Sequence, residues 1–362
     1  MLVGASARAA AESARRAGFS PIVVDEFGDR ETIQAAQRWF HLDELRDQNG
    51  PQNFTQIASE TTPVAIVGGL VGGYRWIRCA RNRFFGADPE QFERCGQPDF
   101  LREIAIDAGV QFPLTILEGQ ARKGWLLKSF DSSGGLGVRY CQNDDSIPAG
   151  TYLQQPLHGH VFGASFVGTA SDAILVGVCR LLKKRIGDLP FVFAGAVGPL
   201  VVTPGVQRLL QRVGDLFVTS TGITGPFNVD FVIAGKSLWL LEINPRWSAS
   251  MEIVERSWSE ALGEGCSFFN SIENWRRRNE EQSSTPQGTR IDNHCYLKRI
   301  VFARGDRIVS ESDFHLPDDD GTLVWKDVPR GTTKILRHHP IATVIADLKR
   351  MSLAKAFRVM VG

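Results

Sequence analysis

Hydrophobic and polar positions change period along the chain, and the change marks its organisation. Leu2-Val3 is a very short apolar run, followed by Gly4-Ala-Ser-Ala-Arg8 and an Ala/Arg/Glu-rich helical pattern to about Arg16. Gly18 ends that helix, and Pro21-Ile-Val-Val24, closed by Asp25, reads as a second strand. A strand, a helix and a strand in this order open a doubly wound α/β sheet. Residues 31–60 read as a helix followed by a polar loop at Asn49-Gly-Pro51. Pro63-Val-Ala-Ile-Val67 is a continuous apolar run suited to a buried parallel strand. The glycines after it (Gly68, Gly69, Gly72, Gly73) fit a ligand loop at the carboxyl end of that strand and a simple turn equally well. Arg75, Arg78, Arg81 and Arg83 behind them read as a solvated helix face, with anion binding by one of them the lesser reading. Asp99 to Ala108 is helical and ends at Gly109.

Beyond that glycine the pattern turns to strands. Gly124-Trp-Leu-Leu-Lys128 ends on a lysine, and Val138-Arg-Tyr140 starts the next strand. Between them lies a loop with Ser132, Ser133, Gly134, Gly135 and Gly137, which can turn successive backbone N–H groups toward one anion. It lacks the Gly-Lys-Ser/Thr ending and following helix of a Walker loop, and a hairpin with a mobile tip is the plainer account. Lys128 favours the anion, because a buried lysine needs a negative partner. Thr151 to Leu157 breaks at Pro156, before His158-Gly-His160 and a strand from Val161 to Val167. Leu175 to Arg180 and Phe191 to Pro199 are further strands, with Lys183, Lys184 and Arg185 between them. Thr203 to Gly222 is an amphipathic helix given to core packing.

The densest chemistry follows. Phe227-Asn-Val-Asp-Phe-Val232 and the run from Ser237 through Leu-Glu-Ile-Asn-Pro-Arg246 are joined by Ala234-Gly-Lys236, which reads as a hairpin turn. Glu242 and Asn244 are two apart and share a strand face, and antiparallel pairing brings Asp230 beside them. The three make a compact set of oxygen ligands of the kind a hard cation needs; taken alone, Glu-x-Asn is more plainly a solvated hairpin face, and the lysine and Ser/Gly loop upstream favour the metal reading. Trp247 to Leu262 reads as a helix and residues 272–290 as a polar surface excursion. Strands follow at Cys295 to Phe302, Arg307 to Val309 and Gly321 to Trp325, and His338-His-Pro340 is expected to lead to a closing helix. His338 and His339 are adjacent and cannot face one way on a strand, which argues against a bis-histidine metal site.

Composition narrows the function classes. Lys+Arg 41 against Asp+Glu 40 removes any general attraction to nucleic acid or an anionic membrane, leaving only a local basic patch open. The six cysteines are scattered without a Cys-x-x-Cys pair, so neither a zinc site nor a disulfide framework is suggested. No run is long enough to span a bilayer and the start lacks a signal-peptide core, so the expected location is cytoplasmic. Gly4 has no partners in Gly-x-Gly-x-x-Gly register, which removes a dinucleotide fingerprint.

A phosphate-facing lysine, a Ser/Gly loop, an arginine strand, Asp230 and Glu242-x-Asn244 come in an order that resembles the ATP-grasp superfamily of carboxylate–amine ligases. Leu-Glu-Ile-Asn-Pro-Arg246 is the most specific part of the likeness. The resemblance implies an α/β fold with a pre-ATP-grasp lobe at 1–97, a small lobe with the Gly-rich loop at 98–165, and a large lobe at 166–362. It implies ATP and Mg²⁺ (or Mn²⁺), with Asp230, Glu242 and Asn244 as metal ligands and Lys128 on the α/β-phosphates. Ser132, Ser133, Gly134, Gly135 and Gly137 would cover the γ-phosphate, and Gln154, Gln155 and Leu157 would meet the adenine edge. Arg180 and Arg246 would face the transferred phosphoryl group. At His160 the sequence departs from relatives that carry a glutamate on the ribose hydroxyls. Gly4 to Ala9 and Asp25-Glu-Phe-Gly-Asp29 are similar to a subgroup of predicted carboligases tied to one-carbon metabolism, with a tyramine–glutamate ligase of methanofuran biosynthesis as a relative. The expected reaction phosphorylates a small-molecule carboxylate and joins it to an amine. Selectivity for the acceptor is expected in the first lobe and at Trp247 to Met251. The alternatives are an ATP-binding regulatory protein without turnover and a carboxylase-type enzyme using bicarbonate. Homodimers are common for this architecture, as the resemblance implies.

Overall fold

Apolar runs of two different kinds build two different kinds of sheet. A computed structural model describes residues 1–46, 49–69, 84–130, 132–142, 146–262, 265–284, 294–314 and 321–359. Gly72, Gly73, Arg75, Arg78, Arg81 and Arg83 lie outside the described residues. The first sheet contains β1 (Leu2–Val3), β2 (Ile22–Asp25), β3 (Arg38–His41) and β4 (Ala65–Ile66), in the order β3-β2-β1-β4 and parallel throughout. Val3, Val23 and Val24 are fully buried because a parallel sheet is covered on both faces. The helix Arg8–Arg16 turns Ala9, Ala10, Ala11 and Ala14 inward, and these small side chains let it approach closely. Strand β3 falls where a helix is expected from the sequence. The helix there stops at Ala35, and Arg38-Trp-Phe-His41 pairs with β2, the Trp39 indole N–H donating to Asp25 Oδ1 at 2.8 Å. Aromatic side chains favour the pleated, half-buried surface that β2 offers.

Helices Pro89–Cys95 and Pro98–Ala108 lead to the second, antiparallel sheet. It holds β5 (Thr115–Ile116), β6 (Leu126–Ser129), β7 (Val138–Tyr140) and β8 (Thr151–Gln154), in the order β5-β8-β6-β7. The third sheet is antiparallel with eight strands. Its first part comprises β9 (Val161–Gly168), β10 (Ala173–Ile186), β11 (Leu189–Gly198), β12 (Gly225–Ala234) and β13 (Ser237–Asn244). To these are added β14 (Tyr296–Phe302), β16 (Leu323–Lys326) and β18 (Pro340–Asp347), giving β13-β12-β9-β10-β11-β14-β18-β16. A separate ribbon pairs β15 (Arg307–Val309) with β17 (Thr333–Ile335). Phe166 stacks on Phe227 at 5.0 Å between ring centres, and Phe217 of the helix Pro204–Thr221 closes on Phe227 at 4.8 Å.

Three further expectations change. The boundary placed at 165 falls inside β9, which pairs from Val161 to Gly168 with β12 and so belongs to the large sheet. His338-His-Pro340 enters β18, a strand buried by its apolar run against β14, and the closing helix is the shorter Leu353–Val359. Part of the polar stretch 272–290 is the helix Ile272–Ser284, anchored by Trp275, whose N–H donates to Ser267 O at 3.1 Å. Among the described residues no helix is long and apolar enough to cross a membrane.

Candidate active site

The hairpin β12–β13 forms in the register the sequence implies: Asp230 opposes Glu242 and Asn228 opposes Asn244. A bulge after Asp230 interrupts the ladder there, and such irregularities re-aim side chains. The two carboxylates meet. Asn228 Nδ2 donates to Asp230 Oδ1 at 2.6 Å, and Asn244 Nδ2 donates to Glu242 Oε1 at 3.1 Å. Burial, followed by the Glu242 charge, pushes Asp230 well above the ordinary carboxylate range. Burial would raise Glu242 as well, but the Lys128 ammonium and the Asn244 amide outweigh it and hold it low. The two carboxylates are thus driven in opposite directions by the same crowding. Two carboxylates so close need either a shared proton or a cation between them.

Lys128 stands opposite, buried at the end of β6. Its Nζ lies 3.3 Å from Gln154 Oε1 and 3.9 Å from Glu242 Oε2. Burial alone would lower this lysine, but Tyr152, Glu242 and Asp230 hold it above its usual range. Gln154 Nε2 is buried without a hydrogen-bond partner among the described residues, so a donor is left for an acceptor from outside. Arg246 reaches from the hairpin end to the Ser/Gly loop, Nη2 donating to Asn244 Oδ1 at 3.0 Å and to Ser133 Oγ at 3.2 Å.

That loop is seated on the rest of the protein. Ser132 Oγ accepts from Gly137 N–H at 3.0 Å, and Gly134 O accepts from Phe193 N–H of β11 at 2.9 Å. Gly135 has φ +79°, and a Cβ there would lie 2.1 Å from Phe191 O, so only glycine lets the loop lie flat on β11. A Cβ on Gly69 of the first lobe would lie 2.3 Å from Ser133 Oγ. The loop thus touches both the large sheet and the first lobe.

These groups line one cavity of about 370 Å³, with Lys128, Gln154, Gln155, Leu157, Asp230, Glu242, Asn244, Arg246, Ser132, Ser133, Gly134 and Gly135 all on its wall. Gly137 serves the loop from behind, through its bond to Ser132. Arg180 and His160 stand apart. They pair at 2.9 Å (Arg180 Nη2 to His160 Nδ1) on the wall of an adjoining cavity.

The far end of the cavity holds residues the sequence reading did not single out as functional: Arg8, Lys298 and Asp327, beside Ser6, Gly68, Gly69 and Ser248 to Ser250. Arg8 is fully enclosed and forks across two carboxylates. Its Nη1 and Nη2 bond Glu252, the latter at 3.0 Å, and its Nε donates to Asp327 Oδ1 at 2.7 Å. Lys298 Nζ bonds Glu252 Oε2 at 2.6 Å and Ala249 O at 3.1 Å. Burial works against the ionised forms of Glu252 and Asp327, but Arg8 outweighs it and holds both below the usual range. Asp29, capping the helix Arg30–Ala35 nearby, is pushed up to about 7 by burial and by Asp327. A signal for Lys298 was present, since it is a lysine inside the apolar run Tyr296-Leu-Lys-Arg-Ile, the pattern that drew attention to Lys128.

The donors suit a hard divalent cation. Asp230, Glu242 and the Asn244 amide offer oxygen donors, and two carboxylates packed together mark a place where positive charge is called for. Because the third donor is an amide, no cluster of three or more His, Cys, Asp or Glu appears among the described residues.

Residues 101–250 match the family of ATP-grasp domains. No curated protein sequence matches the chain. Among solved structures it is similar to phosphoribosylglycinamide synthetase from Anaerococcus prevotii, at 14% identity and TM-score 0.63 over 99% of this chain and 97% of that one. It is also similar to L-amino acid ligase from Bacillus licheniformis, at 12% identity and TM-score 0.64 over 99% and 96%. A third is the biotin carboxylase domain of the Hydrogenobacter thermophilus 2-oxoglutarate carboxylase, solved with MgADP, ADP and bicarbonate, at 14% identity and TM-score 0.67 over 96% and 85%. At these identities the likeness is one of fold. The fold is ATP-grasp, a mixed α/β architecture.

Proposed function

We propose that this ATP-grasp chain is an ATP- and Mg²⁺-dependent ligase that activates a carboxylate as an acyl phosphate and joins it to an amine. The observation that carries the reading is the single cavity in which the Asp230–Glu242 pair, Lys128 and the seated Ser/Gly loop converge. A carboxylate is a poor electrophile until its oxygen takes the γ-phosphoryl group of ATP and ADP departs. The amine nitrogen then attacks the acyl carbon, loses a proton, and phosphate leaves with the electron pair of the broken C–O bond.

Each residue has work in that sequence. Lys128 places a fixed positive charge where phosphate oxygens would lie, and the unpartnered Gln154 Nε2 offers a donor beside it. Asp230, Glu242 and Asn244 would hold Mg²⁺, which when bound offsets charge on the phosphates in the loose phosphoryl transition state. Arg246 provides a rigid fork next to the loop, suited to phosphoryl or carboxylate oxygens. The loop, resting on β11 and against Gly69, keeps water from an acyl phosphate that would otherwise hydrolyse. Ser248 to Ser250 and Lys298 at the far end would meet the substrates.

The likeness to a biotin carboxylase domain keeps a second reading in view, in which bicarbonate is the acid. The test is Mg²⁺-dependent ADP release measured across amino acids, other acids, amines and bicarbonate, singly and in pairs. Release confined to one acid–amine pair, with amide product by mass, establishes the ligase. Release with bicarbonate alone selects the carboxylase. Tight ATP binding with no release under any pair moves the reading to a regulatory protein. Tyramine with glutamate belongs in the panel, because the proposed link to one-carbon cofactor biosynthesis rests on the likeness of Gly4 to Ala9 and Asp25 to Asp29.

A further inference from the structure

A second cavity, of about 960 Å³, opens beside the first and shares with it a wall that includes Leu181, Lys183 and Ile300. We propose that it is a binding site for a small polyanion, a ligand presenting several clustered phosphate or carboxylate charges. The proposal does not depend on which reaction the first cavity performs.

The charged groups on its largely apolar wall are cationic with one exception, Asp306. Arg180, Lys183 and Lys184 come from β10, Arg299 from β14, Arg304 from the connection that follows and Arg307 from the start of β15. Among the described residues no carboxylate pairs with Arg180, Lys183, Lys184, Arg304 or Arg307. Asp306, the carboxylate on this wall, is engaged elsewhere, its Oδ1 accepting from Arg337 N–H at 2.9 Å. The chain as a whole carries 41 basic and 40 acidic residues, so this concentration is local and not a property of a basic protein.

What holds the cations in place is not negative charge. Lys183 lies over the Phe191 ring at 4.6 Å and Lys184 over Phe302 at 4.8 Å, while Arg180 bonds the His160 ring. Ring faces stabilise an ammonium only weakly when solvent reaches it. Burial and the neighbouring Arg299 and Arg304 lower Lys184, and burial with Arg304 lowers Arg299. Like charges have thus been gathered at a cost that an anion would remove. A monoanion would leave most of the groups unneutralised, since they come from three strands and a connection around the space. The cavity is concave and falls within the roughly 300–1,000 Å³ typical of small-molecule sites, which favours a small ligand over an extended nucleic acid.

The test is calorimetric titration of the full chain with tripolyphosphate and, separately, citrate at low ionic strength, with and without a saturating non-hydrolysable ATP analogue. We expect binding that persists with the analogue present. An Arg304→Ala/Arg307→Ala double variant, altered at exposed positions, should weaken binding by about tenfold or more, since hydrogen bonds to charged groups are the strong ones. Arg212→Ala, an exposed change on the helix Pro204–Thr221, should leave it unaltered. The stronger of the two ligands identifies phosphate or carboxylate as the natural chemistry. Absence of binding by both overturns the proposal, and so does an affinity that the double variant leaves unchanged. A short single-stranded oligonucleotide binding more tightly than tripolyphosphate overturns the small-ligand class.

Discussion

The two cavities share a wall and follow opposite electrostatic plans. In the first, buried cations face carboxylates: Lys128 faces Glu242, while Arg8 pairs with Glu252 and Asp327 and Lys298 pairs with Glu252. In the second, arginines and lysines face one another, backed by aromatic rings. The difference follows burial. Arg8 and Glu252 are shielded from water and would be ruinous unpaired. Arg304 and Arg307 are exposed, so water screens them and the fold can leave them unmatched. Paired charge in this protein marks structure and preorganised chemistry, and unpaired charge marks a place that receives something from solution.

That contrast can be broken at graded cost. The largest effect is expected at the acidic pair. Glu242→Gln or Asn244→Ala should lower ATP turnover by at least on the order of a hundredfold while the fold survives, read as ADP release alongside circular dichroism. Turnover retained in either variant would remove these residues from metal binding. Next comes the enclosed fork. Arg8→Ala strands Asp327, leaves Glu252 with Lys298 alone, and should cost about 3–5 kcal/mol of stability in urea unfolding. A loss near that of a surface change would show that the network is not a structural unit.

A smaller effect concerns pH. Asp29 titrates at about 7 in the folded chain, above its unfolded value, so the folded state binds the extra proton between the two. Its contribution is therefore fully present below the unfolded value and is lost as pH rises through about 7. Asp29→Asn keeps a capping acceptor for Thr32 N–H and removes the charge. It should stabilise the protein by about 1–3 kcal/mol at pH 8 and flatten the pH dependence of the melting temperature. Equal pH profiles in the two proteins would contradict this. The smallest change is expected at Arg304→Ala, within about 0.5 kcal/mol of the parent and on the stabilising side, because it relieves repulsion. A clear destabilisation there would mean that the second cavity is paired after all.

Much of the first cavity was legible because its residues are close in sequence or carry a local signature. Glu242 and Asn244 face one way through the strand period alone, and the Gly235 turn sets Asp230 against Glu242. The lysine ending an apolar strand and the Ser/Gly loop after it are equally local. Sequence by itself determined this hairpin, the loop, the parallel opening and the neutral charge balance, because each depends on period, turn chemistry or composition. Only the tertiary structure decided the rest. Strand β3 exists because β2 offers Trp39 a partner in Asp25, a contact that local helix preference does not contain. The run after His339 is a strand because β14, some 40 residues earlier, supplies its hydrogen bonds. Arg8, Glu252, Lys298 and Asp327 meet across more than 300 residues of chain, and Arg180 turned from the carboxylates to His160 and the arginines of a distant loop. Charge pairing acts through space, and distance in space between such positions is fixed by how the sheets pack and not by any pattern along the chain.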